Sequence, residues 1–582
     1  MDRRRFLSST MGCLATAGFA IRSLADELPA VRNPRATSGD DRAAPPWEKR
    51  LTITVGPKKA DLVGTDDRVL QAAVDYVTRL GGGTVHVLPG TYTLRNAVYL
   101  QSGIRVLGSG AESIVTKIPS ESVKLAADSD WYDQEITVEN AKSFRVGDGV
   151  CLRTKNPHNG STEVLKRTLV ARSGNRFKLD RALRKNFWIK GSPTCSSLFP
   201  LFSGENISDV AIENITLDGN GKNNTNLNGN YAGCIFLQDC NRIQMRNVEA
   251  RNYNGDGISW QICHDVVVEN CHSHDHAGLG LHPGSGSQRP LIRNNRMERN
   301  SQGLFWCWGV KFGLAENNKM IDNRDYGISI GHCDTDNVMR NNEIIGSGKV
   351  GILFRNDTRG QDFWANRNRI EKNRIINSGA SEGIGIDIQG SSSTFDFDAA
   401  TSIAGAVGNS FLINGGTASV TYSGDITHST AGTAAVSVTG GHTTGTVTFQ
   451  TGTISATDGT GLQFDNADGT YNFTFTNTTT LNGGDAGIDI LNGSGGSFFF
   501  GANVSITDPT GIAFNLANSV TGTVQYDGTI DQANNAAIVQ ILNHDFNTDF
   551  VSVSFESAEI SATNGSGIQI NNANGSLANY NF

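Results

Sequence analysis

The fold is decided by a short phrase that recurs between residues 233 and 390: Cys234-Ile-Phe-Leu, Gly257-Ile-Ser-Trp, Gly278-Leu-Gly-Leu, Gly303-Leu-Phe-Trp, Gly327-Ile-Ser-Ile, Gly351-Ile-Leu-Phe and Gly383-Ile-Gly-Ile. The steps between these positions are 23, 21, 25, 24, 24 and 32 residues. A nearly constant step in the low twenties, with alternating apolar residues after a glycine, is typical of a solenoid with one coil of strands per repeat. Because no repeat has room for a helix of about ten residues, the sequence predicts an all-β fold, a parallel β-helix.

Stacking of the coils would turn equivalent positions into ladders. Period-two alternation points the residues one and three places after the anchor inward, as with Ile258 and Trp260, and leaves the even positions outside. Neighbouring coils of such a fold lie about 4.8 Å apart. We therefore expect an outward column to form a groove that is as long as several sugar units.

The first 25 residues are predicted to be a signal peptide and not part of the fold. Arg3-Arg4-Arg5-Phe6-Leu7 precedes an apolar run from Met11 to Ile21, and Ser23-Leu24-Ala25 offers a cleavage site. The arginines resemble a twin-arginine export signal, and an ordinary secretory signal with a basic start is the alternative. Since the run is too short to span a membrane, we expect a secreted, periplasmic or cell-surface protein without a membrane span.

Composition limits the partners of this chain of 582 residues, which is 38% hydrophobic and 18% charged with a net charge of −8. The acidic balance argues against nucleic acid as a partner, and we expect a monomer. The charge is uneven: residues 391–582 contain no Lys or Arg and 15 acidic residues, whereas the first 390 residues have 49 basic and 42 acidic residues, a net +7. Phrases such as Gly445-Thr-Val-Thr-Phe repeat in the acidic part, which predicts a second β-solenoid and resembles exported adhesin-like repeats.

Residues 51–119 follow a linker at 26–50 and have a pattern of their own. Thr65 is the predicted N-cap of a short helix, after which apolar residues keep helical spacing. Four motifs resemble the N-terminal cap of the pectate-lyase-like superfamily, of the pectate-lyase-3 and rhamnogalacturonase type: Asp66…Leu70-Gln71-Ala72-Ala73, Gly81-Gly82-Gly83-Thr84-Val85, Pro89-Gly90-Thr91-Tyr92 and Gly108-Ser109-Gly110. With the repeats, the resemblance covers residues 60–390. It implies a right-handed parallel β-helix with a short N-terminal capping helix that acts on polysaccharide, and it does not fix the reaction.

Residues 120–200 interrupt the coils before the main β-helix at 201–390. Short strands such as Ile136-Thr-Val and Phe177-Lys-Leu predict an inserted β-subdomain beside the groove. Eight cysteines follow the signal peptide, and all of them precede residue 340. Export permits disulfides, and stacked free thiols are the alternative.

Ionisable residues concentrate around the repeated strand. The phrase Asn254-Gly255-Asp256-Gly257-Ile258 resembles the polygalacturonase phrase Asn-Thr-Asp-Gly-Ile, whose aspartate is catalytic. One coil later, Asp275 would lie about 8 Å from Asp256, which is within the range of about 6.5–9.5 Å for an inverting glycosidase pair. Hydrolysis by these carboxylates is the first hypothesis. The alternative for Asp256 is a turn residue before glycine without a catalytic role.

β-Elimination from a uronic acid is the competing hypothesis. It requires a base near C5 of the sugar and a cation that neutralises the carboxylate. His276, His282 and His332 are the further catalytic candidates, and the predicted substrate-binding residues are Phe305, Lys311, Tyr326 and Arg355. Asp334 and Asp336 could hold Ca²⁺, but such a site needs six or more oxygens, and a solvated turn is the alternative. No other cofactor is predicted.

The run His272-Ser-His274-Asp275-His276 is the densest ionisable cluster of the chain. Alternation is expected to point its histidines to opposite faces, which disfavours a metal site unless a turn gathers them. We expect Asp256, Asp275, His276, His282, Lys311, His332 and Arg355 to line one cleft. The sequence predicts an exported glycoside hydrolase or polysaccharide lyase acting on an acidic or plant- or algal-type polysaccharide. The alternative is a non-catalytic surface or adhesion protein that binds glycans.

Overall fold

A computed structural model describes residues 45–582 except 358, 360–362, 379–382, 483, 486, 546–551, 557–558, 575–578 and 582. The expected signal peptide at 1–25 and most of the linker at 26–50 lie outside these residues. As predicted, the described chain is an all-β parallel β-helix whose coils run over three faces. We call them the site sheet, the second face and the third face, in the order in which each coil passes through them.

The site sheet contains 16 parallel strands, which include the recurring phrases. Its strands are Val98–Tyr99, Phe202–Glu205, Gly233–Gln238, Asp256–Gln261, Leu281–Pro283, Gln302–Phe305, Tyr326–Ile330, Val350–Phe354, Ile384–Gln389, Phe411–Asn414, Val436–Thr439, Leu462–Asp465, Ile488–Leu491, Phe514–Ala517, Val539–Asp545 and Ile568–Asn574.

The second and third faces are joined by strands that belong to both, Ser208–Asp218 and Asn241–Arg251. The other strands of the second face are Leu51–Gly56, Gly83–Val87, Ile104–Gly108, His264–Glu269, Leu291–Arg293, Leu314–Glu316, Val338–Arg340, Arg369–Glu371, Thr394–Phe397, Ser419–Tyr422, His442–Gln450, Ala467–Thr474, Ser497–Phe500, Thr523–Tyr526, Ser552–Ser554 and Asn579–Asn581. Those of the third face are Leu62–Val63, Gly90–Leu94, Ser113–Lys117, His272–His274, Arg296–Glu298, Lys319–Ile321, Glu343–Ile345, Arg374–Ile376, Ser402–Ala404, Asp425–His428, Ile454–Ala456, Thr479–Asn482, Val504–Thr507, Thr529–Gln532 and Glu559–Ala562.

The bend between the second and third faces is made by residues with positive φ, which asparagine tolerates better than most side chains. Asn247, Asn270, Asn294, Asn317 and Asn341 occupy this position in successive coils, with φ between 52° and 58°. A buried asparagine follows the bend in three of these coils. The Oδ1 atoms of Asn318, Asn342 and Asn373 each accept hydrogen bonds from the backbone N–H and Nδ2 of the asparagine one coil earlier, at 2.9–3.0 Å.

The interior is filled by ladders of apolar side chains, as the alternation predicts. Ile258, Leu281, Leu304, Ile328 and Ile352 are directly paired from strand to strand and have no exposed surface. Trp260 and Trp306 are equally buried, so their expected place in the core is confirmed. Burial of such side chains contributes roughly 1.5–3 kcal/mol each, so the ladder carries much of the stability.

The first coils are closed by an α-helix at Asp67–Arg79, whose residues Leu70, Val74 and Val77 join the core. Its N-cap is Asp66, so the choice of Thr65 was wrong: the Asp66 carboxylate accepts from the N–H groups of Arg68 and Val69. An aspartate at this position also favours the positive end of the helix dipole. Single 3₁₀ turns are found at Trp47–Lys49, Ile189–Gly191 and Gly221–Asn223.

An antiparallel sheet of six strands interrupts the coils and has its own apolar core around Phe144, Phe177 and Phe187. Its strands are Ser122–Lys124, Glu135–Thr137, Gly149–Lys155, Thr162–Ser173, Arg176–Leu179 and Thr194–Ser196.

The acidic part of the chain does not form a separate second solenoid. Strand Ile384–Gln389 pairs in parallel with Phe411–Asn414, and the ladder continues without a break through the change of composition at Gly390. Aromatic side chains fill these coils, and the Phe449 and Phe473 rings stack with centroids 5.0 Å apart. None of the eight cysteines in the described residues is in a disulfide. In the same residues, no helix is long and apolar enough to cross a membrane.

The asparagine ladder gives a stability prediction. Asn342→Ala removes two acceptor and two donor contacts and leaves the buried N–H of Asn318 unpaired. Each buried polar group without a partner costs about 1–3 kcal/mol, so we expect the variant to lose at least about 3 kcal/mol of unfolding free energy. Urea denaturation followed by tryptophan fluorescence measures this loss. Asn341→Gly, at the adjacent exposed position with positive φ, should be close to wild type; equal midpoints for the two variants would contradict the account.

Candidate functional site

The outer surface of the site sheet carries one side chain per coil in its central column. Register places Phe236, Ser259, His282, Phe305, Ser329, Leu353 and Asp387 in this column. None of them except Leu353 and Phe236 is an apolar residue that is also buried. The outward orientation predicted for the even positions is therefore observed, and it gathers polar and aromatic groups from distant parts of the sequence.

Asp256 and His282 form a buried pair at the start of this surface. The Asp256 Oδ2 lies 2.7 Å from Nδ1 of His282, and Oδ1 accepts from the Leu279 N–H at 3.0 Å. The loop before Tyr231 covers the pair: the Ser259 hydroxyl donates to the Gly229 carbonyl at 2.6 Å. A Cβ at position 229 would lie 1.6 Å from Oδ2 of Asp256, so only glycine permits this close approach. The side chains of His282 and Asp256 are 5% and 6% exposed, so the expected proximity is observed and the expected solvent access is not.

The pair determines the charge of His282. Burial alone would lower the pKa of this imidazole, but the hydrogen bond with Asp256 and the neighbouring Cys307 raise it to about 9. His282 is thus an imidazolium at neutral pH and donates its Nδ1 proton to the carboxylate. Its Nε2 has no hydrogen-bond partner among the described residues. The arrangement makes His282 a proton donor and not a base at neutral pH.

Phe305 and Arg355 continue the surface beside His282. The Phe305 ring meets the His282 ring edge to face with centroids 5.4 Å apart, and the Arg355 guanidinium lies 4.3 Å from the Phe305 centroid. Arg355 donates to the Ser329 hydroxyl and to the Trp306 carbonyl, at 2.5 and 2.6 Å. Tyr326, half-buried, lies in the flanking outward column opposite Gln302. The predicted positions of Phe305, Tyr326 and Arg355 on one surface therefore agree with the structure.

A second histidine–aspartate pair lies at the open end of this surface. The Nδ1 of His332 is 2.8 Å from Oδ2 of Asp357, and the His332 side chain is 26% exposed. Arg359 binds the same carboxylate, and this hydrogen bond holds the pKa of Asp357 well below its usual value. The Trp308 ring contacts both the His332 ring and the Arg359 guanidinium. Donation of Nδ1–H to Asp357 would leave the Nε2 lone pair of His332 free to act as a base.

The expectation of one cleft is wrong for Asp275, His276 and Lys311. Asp275 has a positive φ and ends the third-face strand His272–His274, where its carboxylate pairs with Arg299. His276 lies inside the coil, 1% exposed, with Nδ1 accepting from the Tyr253 N–H; burial lowers its pKa to about 3. Lys311 belongs to a bridge with Gln288 and Thr335, outside the site sheet.

The inverting carboxylate pair and the calcium site are not supported by these positions. Asp256 is bound to His282 and Asp275 to Arg299, so the two do not face a common substrate. Asp334 is buried, its oxygens accept from the N–H groups of Gly309, Val310 and Gly331, and burial raises its pKa to about 7. Asp336 forms an ion pair with Arg367. Because these oxygens are already occupied by amides and a guanidinium, the residues do not fit a calcium ion.

The sequence reasoning missed Trp308, Asp357 and Arg359. Its one available signal was the step of 32 residues between Gly351 and Gly383, against 24 in the preceding coils, which marks a longer loop after the site-sheet strand. Loops placed on a rigid scaffold often carry function.

Lys166 was also missed, because it belongs to the inserted sheet. Its ammonium lies 3.8 Å from the Phe236 ring centroid and has no hydrogen-bond partner among the described residues. It lines an open cleft of about 510 Å³ together with Arg181, Arg184, Glu205 and Tyr231. Burial lowers the pKa of Lys166 to about 8, and its charge faces the same outward column as His282.

Comparison with known proteins supports the architecture. Residues 210–363 match the family model described as the right handed beta helix region. The fold is a right-handed parallel β-helix. No curated protein matches the chain.

Several solved β-helix structures are similar to this chain. PfbA, a surface adhesin of Streptococcus pneumoniae, aligns with 74% of this chain and 92% of its own at 14% identity and a TM-score of 0.41. The Gp54 tailspike of Acinetobacter baumannii bacteriophage AP22, in complex with A. baumannii capsular saccharide, aligns with 86% of this chain and 74% of its own at 11% identity and a TM-score of 0.30. The A-module of the Azotobacter vinelandii mannuronan C-5 epimerase AlgE6 aligns with 88% and 94% at 12% identity and a TM-score of 0.31. At these values the likeness carries no argument about activity.

The buried pair gives a prediction about pH. The folded-state pKa of His282, about 9, is above its usual value of 6.5, so the pair stabilises the fold fully below pH 6.5 and this stabilisation is lost as the pH rises through about 9. Asp256→Asn should therefore destabilise the protein at pH 6 by on the order of 3 kcal/mol, and much less at pH 10. Urea denaturation at the two pH values measures the difference. Asp322→Asn, at an exposed position, is the control, and an Asp256→Asn effect that is equal at both values would show that the charge pair does not exist.

Proposed function

We propose that this protein is exported, binds an acidic polysaccharide along the outer surface of the site sheet and cleaves it by β-elimination. The observation that carries the proposal is the row of cationic and aromatic groups on that surface. It includes Lys166 over Phe236, the His282 imidazolium, Arg355 over Phe305 and Arg359 over Trp308. Local positive charge on a chain of net charge −8 favours an anionic ligand.

The dimensions of the row suit a polymer. From Phe236 to the coil of Arg355 there are five coil steps, or about 24 Å at the spacing of neighbouring strands. Aromatic rings offer apolar faces to the C–H groups of sugars, and guanidinium groups bind carboxylates through two parallel hydrogen bonds. The exposed Trp308 and the partly exposed Phe305 and Arg359 side chains serve these roles.

The chemistry follows from the two histidine–aspartate pairs. His332, oriented by Asp357, removes the C5 proton of a uronate unit through Nε2 while Arg359 neutralises the carboxylate of that unit. The C4–O bond then breaks, a C4=C5 double bond forms, and the departing oxygen takes a proton from the His282 imidazolium. His332 ends protonated and His282 neutral, so one proton must pass back between them or through solvent before the next turnover. Phe305 covers His282, so its ring must move when substrate binds.

A non-catalytic glycan-binding protein remains the second candidate, because a specific observation favours it. Both acidic partners of the histidines are already paired in the absence of ligand, and the His282 side chain is only 5% exposed. A surface whose charges are internally satisfied can recognise a glycan without turning it over.

Activity measurements separate these functions. The purified protein is incubated with polysaccharides that contain or lack uronic acids, and both the absorbance of unsaturated products and new reducing ends are followed. Elimination predicts both signals on uronate polymers only. His332→Ala should lower kcat by at least about 100-fold, because a general base contributes roughly 10²–10⁴ to the rate. Arg359→Ala should raise KM with a smaller effect on kcat.

His264→Ala, a substitution in second-face strand His264–Glu269, is the matched control and should retain full activity. Reducing ends without unsaturated product would replace elimination by hydrolysis. Binding of the polymer by affinity electrophoresis without either product would establish the non-catalytic function. If His332→Ala turned over at the wild-type rate, the proposed base would be wrong.

A further inference from the structure

The outside of the third face carries a second group of ionisable residues that the proposed polysaccharide site does not use. Strand His272–His274 pairs with the end of Asn241–Arg251, so that His272 lies opposite Glu249 and His274 opposite Arg251. His272 and His274 are two residues apart and therefore point to the same side of the strand. Their rings are stacked, with centroids 4.0 Å apart and an interplanar angle of 25°. The expectation that the members of this run point to opposite faces was wrong for these two and correct only in that His276 points inward, because the positive φ of Asp275 ends the strand.

These side chains bring three possible metal ligands together. One ligand atom from each of Glu249, His272 and His274 lies within 4.8 Å of the other two. The group is accessible, since the side chains of His272 and Glu249 are 37% and 29% exposed. Glu298 of the next coil lies beside it, with Oε2 3.2 Å from Nε2 of His272.

The hydrogen bonds of His274 point to a cation between it and Glu249. Nδ1 of His274 is 2.6 Å from the Asp275 carboxylate, and a neutral imidazole held in this way has its proton on Nδ1. Its Nε2 lone pair then faces Oε1 of Glu249 at 3.2 Å, so two acceptors oppose each other. Either an extra proton or a metal ion must lie between them. A carboxylate that fixes a histidine tautomer from behind is the usual second-shell arrangement of histidine metal sites.

We propose that Glu249, His272 and His274 form a binding site for a divalent transition metal ion of the Zn²⁺ type, oriented by Asp275. Two imidazoles and one carboxylate suit Zn²⁺ and its neighbours in the first transition row, whereas Ca²⁺ and Mg²⁺ prefer sets of oxygen ligands. Burial and the neighbouring His274 lower the pKa of His272, which favours the neutral form that binds a metal. Water or Glu298 completes the coordination.

The site has a structural consequence that is separate from polysaccharide cleavage. Its ligands come from two successive coils, Glu249 from one and both histidines from the next. A bound ion would link these coils and raise the thermal midpoint of the folded protein by mass action. The nearby cations oppose this gain, since Arg251 donates to Glu249 and Arg296 to Glu298.

Metal titration of the protein, with any affinity tag removed, tests the site. Isothermal calorimetry with Zn²⁺ should give one equivalent bound at this site, and Ca²⁺ and Mg²⁺ should not bind it. His272→Ala and, separately, Glu249→Gln should each weaken Zn²⁺ binding by at least tenfold, and Asp275→Asn by about tenfold to a hundredfold. The Co²⁺ form should show a d–d spectrum without the charge-transfer band of a thiolate, which distinguishes the site from binding to cysteine.

His264→Ala, which removes a histidine of the second face, is the control and should bind Zn²⁺ as the wild type does. The thermal midpoint of each metal-free variant shows whether it is folded, and Glu249→Gln keeps the size of the side chain if His272→Ala does not fold. No Zn²⁺ binding by the wild type overturns the proposal, as does binding that survives both substitutions. Loss of Zn²⁺ binding with unchanged polysaccharide turnover would support this site and leave the proposed function untouched.

Discussion

Parallel pairing between coils is the constraint on which the rest of this structure depends. Each strand of the site sheet bonds to the equivalent strand one coil before and one coil after, so a residue keeps its column through the stack. An inward column must then be apolar in every coil, as with Ile258, Leu281 and Leu304, because a single polar side chain there would be buried without water. Where a polar residue is buried, it recurs: the asparagine ladder satisfies each amide from the coil next to it.

The same constraint builds both proposed sites. On the site sheet, outward positions of successive coils place His282 against Phe305 and Phe305 against Arg355, although 73 residues separate the first from the last. On the third face, it places Glu249 beside His272. Side chains that are far apart in sequence therefore approach each other with the accuracy of a β-ladder, which gives a rigid arrangement without a closed pocket.

The sequence predicts the columns well because alternation is local. It could place Ile258 inside and Phe305 outside, since only the neighbouring residues of one strand are needed for that inference. It could not place Asp275 or His276, because one residue with positive φ turns the chain between them and reverses which side is inside. It could not show that Asp256 is covered either, since the covering loop at Gly229 lies outside the repeated phrase. Asp357 and Arg359 lie in a loop whose path depends on tertiary contacts with Trp308 and His332.

A crystal structure of the protein with a bound oligosaccharide of uronic acids tests the central claim most directly. The account predicts sugar units along the outward column of the site sheet, with one ring against Phe305 or Trp308 and a carboxylate in contact with Arg355 or Arg359. The C5 atom of one unit should lie within reach of Nε2 of His332. Oligosaccharide bound instead on the second or third face, or on the coils beyond Asp387, would contradict the assignment of the site sheet as the functional surface.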